Sequence, residues 1–445
     1  MPLVTWILPA MGTLLASWAA WAVQNSRGSS GGVGSMLYVP PNPTATPDPP
    51  AAATTEHPHE HAIYVIGDLH GDGECAEHWV RRTGLIDYHD EQDSDANDKS
   101  DSGDNGKTGR GLSTWKDPTS HLVFVGDYVD KGPTSRQVIE LVKDLTERFP
   151  SHVTALLGNH EMELLLDRDR DRWDSWGGAG FFGLSYASAH PAEYLNYLHR
   201  EVTAEDEVVV TALYAASVEV YGRGLHSDTY MAPRSLVGDQ KSIVRFVPAD
   251  LRLVVEERLR EYQEAYLDAF RSGTELGTWL ENRPILALLN ETLFVHGGIS
   301  QHGTALIDHF GVEGVNSLFR EHSGATVGAF VEGTREGQII YDLLTFRGNH
   351  QDGACEDLPR LLPEGVSRLG VGHTPGSAVR VGCSDTFLAL DSSLGRWFRN
   401  SGNEYCPGLT KVISSNGRYV CEAINKQCEG QIVKLTAAGG VEMIE

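Results

Sequence analysis

Short apolar runs recur along this chain, and each stops abruptly at a glycine or a polar residue. Residues 62–66, 122–125, 153–157, 293–295, 369–371 and 387–390 are such runs. They are too short for helices and lack the alternation of a half-exposed strand, so they predict strands buried on both faces. Between several of them the period changes to that of a helix. Residues 135–148, after Gly132-Pro133, place Val138, Ile139, Leu141, Val142 and Leu145 on one face. Residues 248–270 do the same with Leu251, Val254, Val255, Leu259, Tyr262, Tyr266 and Phe270. Strand and helix in alternation predict an α/β core. In open sheets of that kind, ligands gather on loops just past the strand ends.

The pattern breaks in five places. Residues 1–23 carry no charged side chain and are mostly apolar. That length suits a membrane span or the core of a signal peptide, with Ala20-Trp21-Ala22 as the cleavage site. The first basic residue, Arg27, lies beyond the run, which tips the reading slightly toward a retained anchor. Either reading predicts the secretory pathway, membrane-anchored or secreted. Residues 24–60 are rich in Gly, Ser, Pro, Thr and Ala and read as a disordered linker. Its tract His57-Pro58-His59-Glu60-His61 reads as solvated chain rather than a metal tract. Residues 87–118 form a polar insert with seven Asp/Glu against one Lys between Asp87 and Asp101. The offsets of an EF-hand are wrong there, and a disordered acidic loop is predicted. Residues 162–283 form a second, helical insert beside a site loop, placed to cap it. Residues 401–445 read as a C-terminal extension of the same domain.

Composition changes little except through charge. The chain has 445 residues, 40% hydrophobic and 22% charged, with a net charge of −25. That charge argues against a nucleic-acid partner, because phosphate backbones are held by Lys and Arg. It does not exclude a phosphoester, since bound metal ions make a site locally positive. Six cysteines are too few for a disulfide scaffold. Cys355, Cys383, Cys406, Cys421 and Cys428 leave room for one or two disulfides in an oxidising compartment. The absence of a C-x-x-C pair speaks against structural zinc. The sequon Asn290-Glu291-Thr292 abuts a predicted core strand, so burial of Asn290 is expected.

The ends of the apolar runs carry the chemistry. Gly67-Asp68-Leu69-His70-Gly71, Gly126-Asp127-Tyr128-Val129-Asp130, Gly158-Asn159-His160-Glu161, Val295-His296-Gly297-Gly298 and Gly372-His373-Thr374-Pro375 follow them in order. Any one motif alone is an ordinary turn or helix cap. Five in order, each after a strand, offer the oxygen and imidazole ligands of a two-metal phosphoesterase. Two ions roughly 3.5–4 Å apart, with a bridging hydroxide as nucleophile, supply in-line attack on a phosphoester. Asp68, His70, Asp127, Asn159, His296 and His373 are the candidate metal ligands. Mixed O/N ligands suit Mn, Fe or Zn, with Mn expected in vitro. His226, His302 and His350 have no such context, and Asp391 reads equally as a support to the site or as a turn residue.

These motifs, spanning residues 61 to about 400, resemble the calcineurin-like metallophosphoesterase superfamily, and within it the Shewanella-like branch of the phosphoprotein phosphatases. The resemblance implies an αββα sandwich with a helical cap insert. It also implies one metal on Asp68, His70 and Asp127, and a second on Asp127, Asn159, His296 and His373, with Asp127 bridging. Asp130 would orient His160 toward the leaving oxygen, as general-acid logic requires. The superfamily's phosphatases usually carry Arg where this chain has Lys131, so the bidentate grip on phosphate falls more on Arg347, in Thr345-Phe346-Arg347-Gly348. The implied function is a phosphoprotein phosphatase. The alternative is a small-molecule phosphoesterase or dinucleoside polyphosphate hydrolase with the same metals.

Overall fold

The computed structural model describes residues 61–87, 114–168, 190–221, 247–396, 412–413, 419–420 and 427–445. The N-terminal run 1–23, the linker 24–60, residues 88–113 of the acidic insert, His226, Cys406 and Cys421 lie outside the described residues. Every apolar run singled out above contains a strand. In chain order the first half holds β1 (Ile63–Ile66), α1 (Gly73–Arg82), β2 (Ile86–Asp87), β3 (Thr114–Trp115), β4 (His121–Phe124), α2 (Ser135–Arg148), β5 (Val153–Ala155) and α3 (Asn159–Asp167). A helical stretch follows, with a 3₁₀ turn at Pro191–Tyr197, then α4 (Ala204–Tyr221), α5 (Arg252–Ala269) and α6 (Glu275–Glu281). Then come β6 (Leu286–Leu289), β7 (Thr292–Val295), α7 (Gln301–His322), α8 (Val327–Gly333) and α9 (Arg335–Thr345). After a 3₁₀ turn at Gly348–His350 the chain forms α10 (Ala354–Leu361), β8 (Arg368–Val371), β9 (Arg380–Gly382) and β10 (Phe387–Ala389). The last strands are the isolated pair β11 (Val412–Ile413) and β12 (Tyr419–Val420), then β13 (Ile432–Leu435) and β14 (Val441–Ile444).

Two five-stranded sheets carry the architecture. Their orders are β14-β13-β1-β4-β5 and β6-β7-β8-β10-β9. In the first, β1, β4 and β5 run parallel, and the β13–β14 hairpin adds antiparallel to β1. In the second, β7, β8 and β10 run parallel between two antiparallel edges. The sheets share one layer of side chains: Ile63, Val65, Val123 and Val433 from the first meet Phe294, Leu388 and Leu390 from the second. Alternate residues on the same strands, among them Leu122, Phe124, Leu293, Val295 and Phe387, join the core under the helices. Each strand is thus buried on both faces, which is why its sequence is a continuous apolar run instead of an alternating one. The result is a mixed α/β fold built on two facing sheets, as the motifs led us to expect.

The α2 helix spans the predicted residues 135–148, and α5 fills Arg252–Ala269 of the predicted 248–270. Aromatic side chains join the second insert. Tyr197 and Phe270 lie edge-on or tilted against Tyr266 and each other, with Tyr194 stacked on Tyr262. The insert docks on α2 through Glu193, whose carboxylate accepts the Ser135 and Arg136 N–H groups at 2.9 Å. It caps a helix whose own Thr134 makes no side-chain cap bond.

One expectation fails. Asn290 is exposed, because Asn290 and Glu291 form the two-residue turn between β6 and β7. Both sit at positive φ (45° and 58°), the conformation a tight hairpin turn demands. Two disulfides form among the described residues. Cys355–Cys383 joins two of the cysteines singled out above, whereas Cys428 pairs with Cys75 on α1 across 353 residues. Arg396 reinforces that junction, pairing with Asp72 and Glu74 at the start of α1.

Candidate metal centre

All six parallel strands end at one place. Asp68 and His70 follow β1, Asp127 and Asp130 follow β4, and Asn159 and His160 open α3 after β5. From the second sheet, His296 follows β7, His373 follows β8 and Asp391 follows β10. Two glycines allow this convergence. A Cβ on Gly372 would fall 2.4 Å from Asp68 Oδ1, and one on Gly126, at φ +103°, would fall 2.6 Å from the Gly158 backbone.

The loops are held in strained conformations. His70, Asp127, Asp130, Lys131 and His373 all have positive φ, between 44° and 72°. Each such residue costs on the order of 1–3 kcal/mol and persists only where its surroundings over-determine it. Hydrogen bonds provide that. The Leu69 and His70 N–H groups donate to Asp127 O at 3.1 and 2.9 Å, and Gly132 N–H donates to His70 O at 3.0 Å.

Glu161 does more than any other residue to shape the Asp127 loop. Its buried carboxylate accepts four backbone N–H groups: Asp127 at 2.9 Å, Tyr128 at 2.7 Å, Val129 at 3.0 Å and Gly158 at 3.0 Å. Burial raises its carboxyl to about 7, with the Asp127 charge adding to the rise and the N–H donors opposing it. Glu161→Gln would turn an amide donor toward backbone donors. It is expected to cost about 2–5 kcal/mol through lost and unsatisfied hydrogen bonds, and to weaken metal binding. Urea unfolding and metal titration check this; wild-type midpoints in both would mean the loop does not depend on that carboxylate.

Two ligand groups share Asp127. His70, Asp127 and His160 form one, and Asp127, His296 and His373 form the other, with the ligand atoms of each within 4.8 Å of one another. Asp68 adjoins the first, its Oδ2 lying 4.0 Å from His70 Nε2. Asn159 adjoins the second, its Oδ1 lying 3.1 Å from His296 Nε2 and 2.7 Å from His373 Nδ1. His296 Nδ1 donates to Val125 O at 2.7 Å and His70 Nδ1 to Val129 O at 3.3 Å. A carbonyl only accepts, so each Nδ1 carries the proton and each Nε2 is turned inward, the tautomer a metal ligand needs.

Electrostatics say that this donor set fits a cation. Asp68 is held well above the usual carboxylate range by burial, then by Asp391 and Asp127. Asp391 is itself raised to about 6, chiefly by burial, and its Oδ2 is buried without a hydrogen-bond partner among the described residues. Burial likewise opposes charge on Asp127, but His296 and His160 outweigh it and keep that carboxyl well below its ordinary value. Burial lowers His296, yet the Asp127 carboxylate wins and raises the imidazole overall. Buried carboxylates crowded in this way are a setting that a divalent cation stabilises. The set of carboxylate, amide and imidazole donors is of the kind that Mn, Fe or Zn accept.

His160 Nδ1 lies 2.5 Å from Asp130 Oδ2, leaving its Nε2 3.9 Å from Asp127 Oδ2. The Asp127 charge favours a protonated imidazole. Burial outweighs it and pulls His160 down to about 3, while burial also raises Asp130 well above its ordinary value. Lys131 and Arg347 lie at the margin. The Lys131 charge is close enough to lower both His70 and His160. Arg347 is exposed, and its Nη1 donates to His373 O at 2.8 Å and to Thr374 Oγ1 at 3.1 Å. Asp391 proves to be both support and turn residue, since its Oδ1 also accepts Ser393 N–H at 2.9 Å. Glu161 had no assigned role in the sequence, although a glutamate three residues into a helix is itself a capping signal. His302, on α7, is exposed and belongs to neither ligand group.

Residues 61–234 match the calcineurin-like phosphoesterase family. That stretch holds the first three motifs, with Asp68, His70, Asp127, Asp130, Asn159 and His160. A 44-residue stretch is 48% identical to a protein phosphatase 2A catalytic subunit of Dictyostelium discoideum, covering 10% of this chain and 14% of that protein. Among solved structures, a cold-active protein-tyrosine phosphatase of a psychrophilic Shewanella species aligns with a TM-score of 0.44 at 14% identity, over 92% of this chain and 89% of that one. A serine/threonine phosphatase of Saccharomyces cerevisiae, described as similar to human PP5, aligns with a TM-score of 0.37 at 12% identity, over 88% and 81%. At these scores the overall likeness decides nothing about substrate.

Proposed function

We propose that this phosphoesterase is a phosphoprotein phosphatase with a dinuclear metal centre. The observation that carries the reading is Asp127, shared by two ligand groups with the His160–Asp130 pair beside it. Asp68, His70 and Asp127 would hold one ion, and Asp127, Asn159, His296 and His373 the other. The ions, when bound, activate the attacking oxygen and neutralise charge on the phosphoryl group. The remaining work falls to the chain itself. Asp130 fixes His160 through Nδ1, so that Nε2 is the atom able to hold a proton for the leaving oxygen. Arg347 lies beside His373 with an exposed guanidinium, suited to phosphate, and Lys131 adds charge near His70 and His160. The motifs Gly-Asp-Tyr-Val-Asp-Lys-Gly and Gly-Asn-His-Glu, with the short match to a protein phosphatase 2A, favour protein over small phosphoesters.

The two disulfides support an oxidising compartment, and so the secretory routing read from residues 1–23. Among the described residues, no helix is long and apolar enough to cross a membrane. A panel of phosphopeptides against diadenosine polyphosphates, with Mn²⁺ supplied, tests the substrate class. Turnover of phosphopeptides is expected; robust nucleotide cleavage with inert phosphopeptides would favour the small-molecule alternative.

A further inference from the structure

We propose that Arg347, His350 and Arg380 form a cationic ledge beside the metal centre. The ledge receives a second anionic group of the substrate, the carboxylate of an acidic residue flanking the phosphorylated one. This rests on the phosphoprotein-phosphatase reading and names a substrate preference within it.

The ledge is continuous with the site. Arg347 is anchored on the His373-Thr374 backbone and hydroxyl. Three residues on, His350 sits in the 3₁₀ turn Gly348–His350, where its Nδ1 accepts a hydrogen bond from Arg380 Nη2 at 2.9 Å. A ring nitrogen that accepts from a guanidinium carries no proton of its own. His350 is therefore a neutral spacer with an arginine on each side. Burial, then Arg380 and Arg347, hold its imidazole down at about 4. Arg380 is exposed and begins β9, an edge strand. The Cys355–Cys383 disulfide ties α10, which follows the His350 turn, to the residue just after β9. The two arginines thus stand on segments bound to each other, a preorganisation that lowers the ordering cost of binding.

Charge points to the occupant. Nine other described arginines pair with Asp or Glu. Arg380 pairs with no carboxylate among the described residues, although the chain carries a net charge of −25. A guanidinium offers five N–H donors in a planar fork that matches a carboxylate, and only one is given to His350. An acidic side chain next to the phosphoresidue supplies the missing partner.

The test uses two fluorescein-labelled phosphopeptides identical except for Glu against Gln beside the phosphoresidue. Wild-type protein is expected to prefer the Glu peptide about fivefold in kcat/KM, through KM. Arg380→Ala should bring the two peptides within twofold of each other, and Arg380→Lys should keep part of the preference. No preference in wild type, or an equal loss on both peptides in the variant, overturns the ledge. If neither peptide is cleaved, the phosphoprotein reading has failed separately, and anisotropy of the same uncleaved peptides judges the ledge. Tighter binding of the Glu peptide that vanishes in Arg380→Ala supports it; equal binding of both peptides, or to both proteins, overturns it.

Discussion

Asp127→Asn is expected to lower kcat/KM for p-nitrophenyl phosphate by at least about 10³-fold and to reduce bound metal to at most one ion per chain. Asp127 is the carboxylate common to both ligand groups. Its Oδ1 lies 3.1 Å from His296 Nε2 and its Oδ2 lies 3.7 Å from His70 Nε2. Asparagine keeps the shape and the Oδ1 that accepts His160 N–H at 3.1 Å, so folding should survive. What disappears is one full negative charge between the two ligand groups. Several kcal/mol of charge stabilisation lost at about 1.4 kcal/mol per tenfold gives a drop of that size. Substantial residual turnover with two metals bound would refute the bridging assignment.

His160→Asn is expected to lower kcat by roughly 10²–10⁴-fold while metal content is unchanged, the loss typical of a missing general acid. The deficit should shrink for p-nitrophenyl phosphate, whose leaving group needs little protonation, and grow for alkyl phosphates. Comparing kcat across a leaving-group series with metal analysis of the same preparations separates two roles. His160 also lies within reach of His70 and Asp127 as a ligand. A fall in bound metal, with an equal deficit on all substrates, would make it a ligand instead of a proton donor.

The parallel strands and the loops after them were readable from the chain for a physical reason. A strand buried on both faces must be apolar throughout, and Asp, Asn and His cannot continue it, so the strand end and the ligand mark each other. Other features depended on partners that no local pattern announces. Asp391 could be read as a turn residue because its turn bond to Ser393 is real, and its contact with Asp68 exists only once two sheets meet. The four N–H groups that Glu161 accepts come from two loops. The Cys75–Cys428 bond and the β13–β14 hairpin beside β1 join the two ends of the described chain. Asn290 is exposed despite its place next to a core strand, because a two-residue turn at the strand's start projects into solvent.

Metal stoichiometry tests the central claim most directly. Elemental analysis of purified protein reconstituted with Mn²⁺ and desalted, run alongside an activity titration with the same metal, should give two ions per chain, with activity rising as the second binds. One ion per chain at full activity, or undiminished activity after all metal is chelated, would contradict a shared Asp127 between two metals.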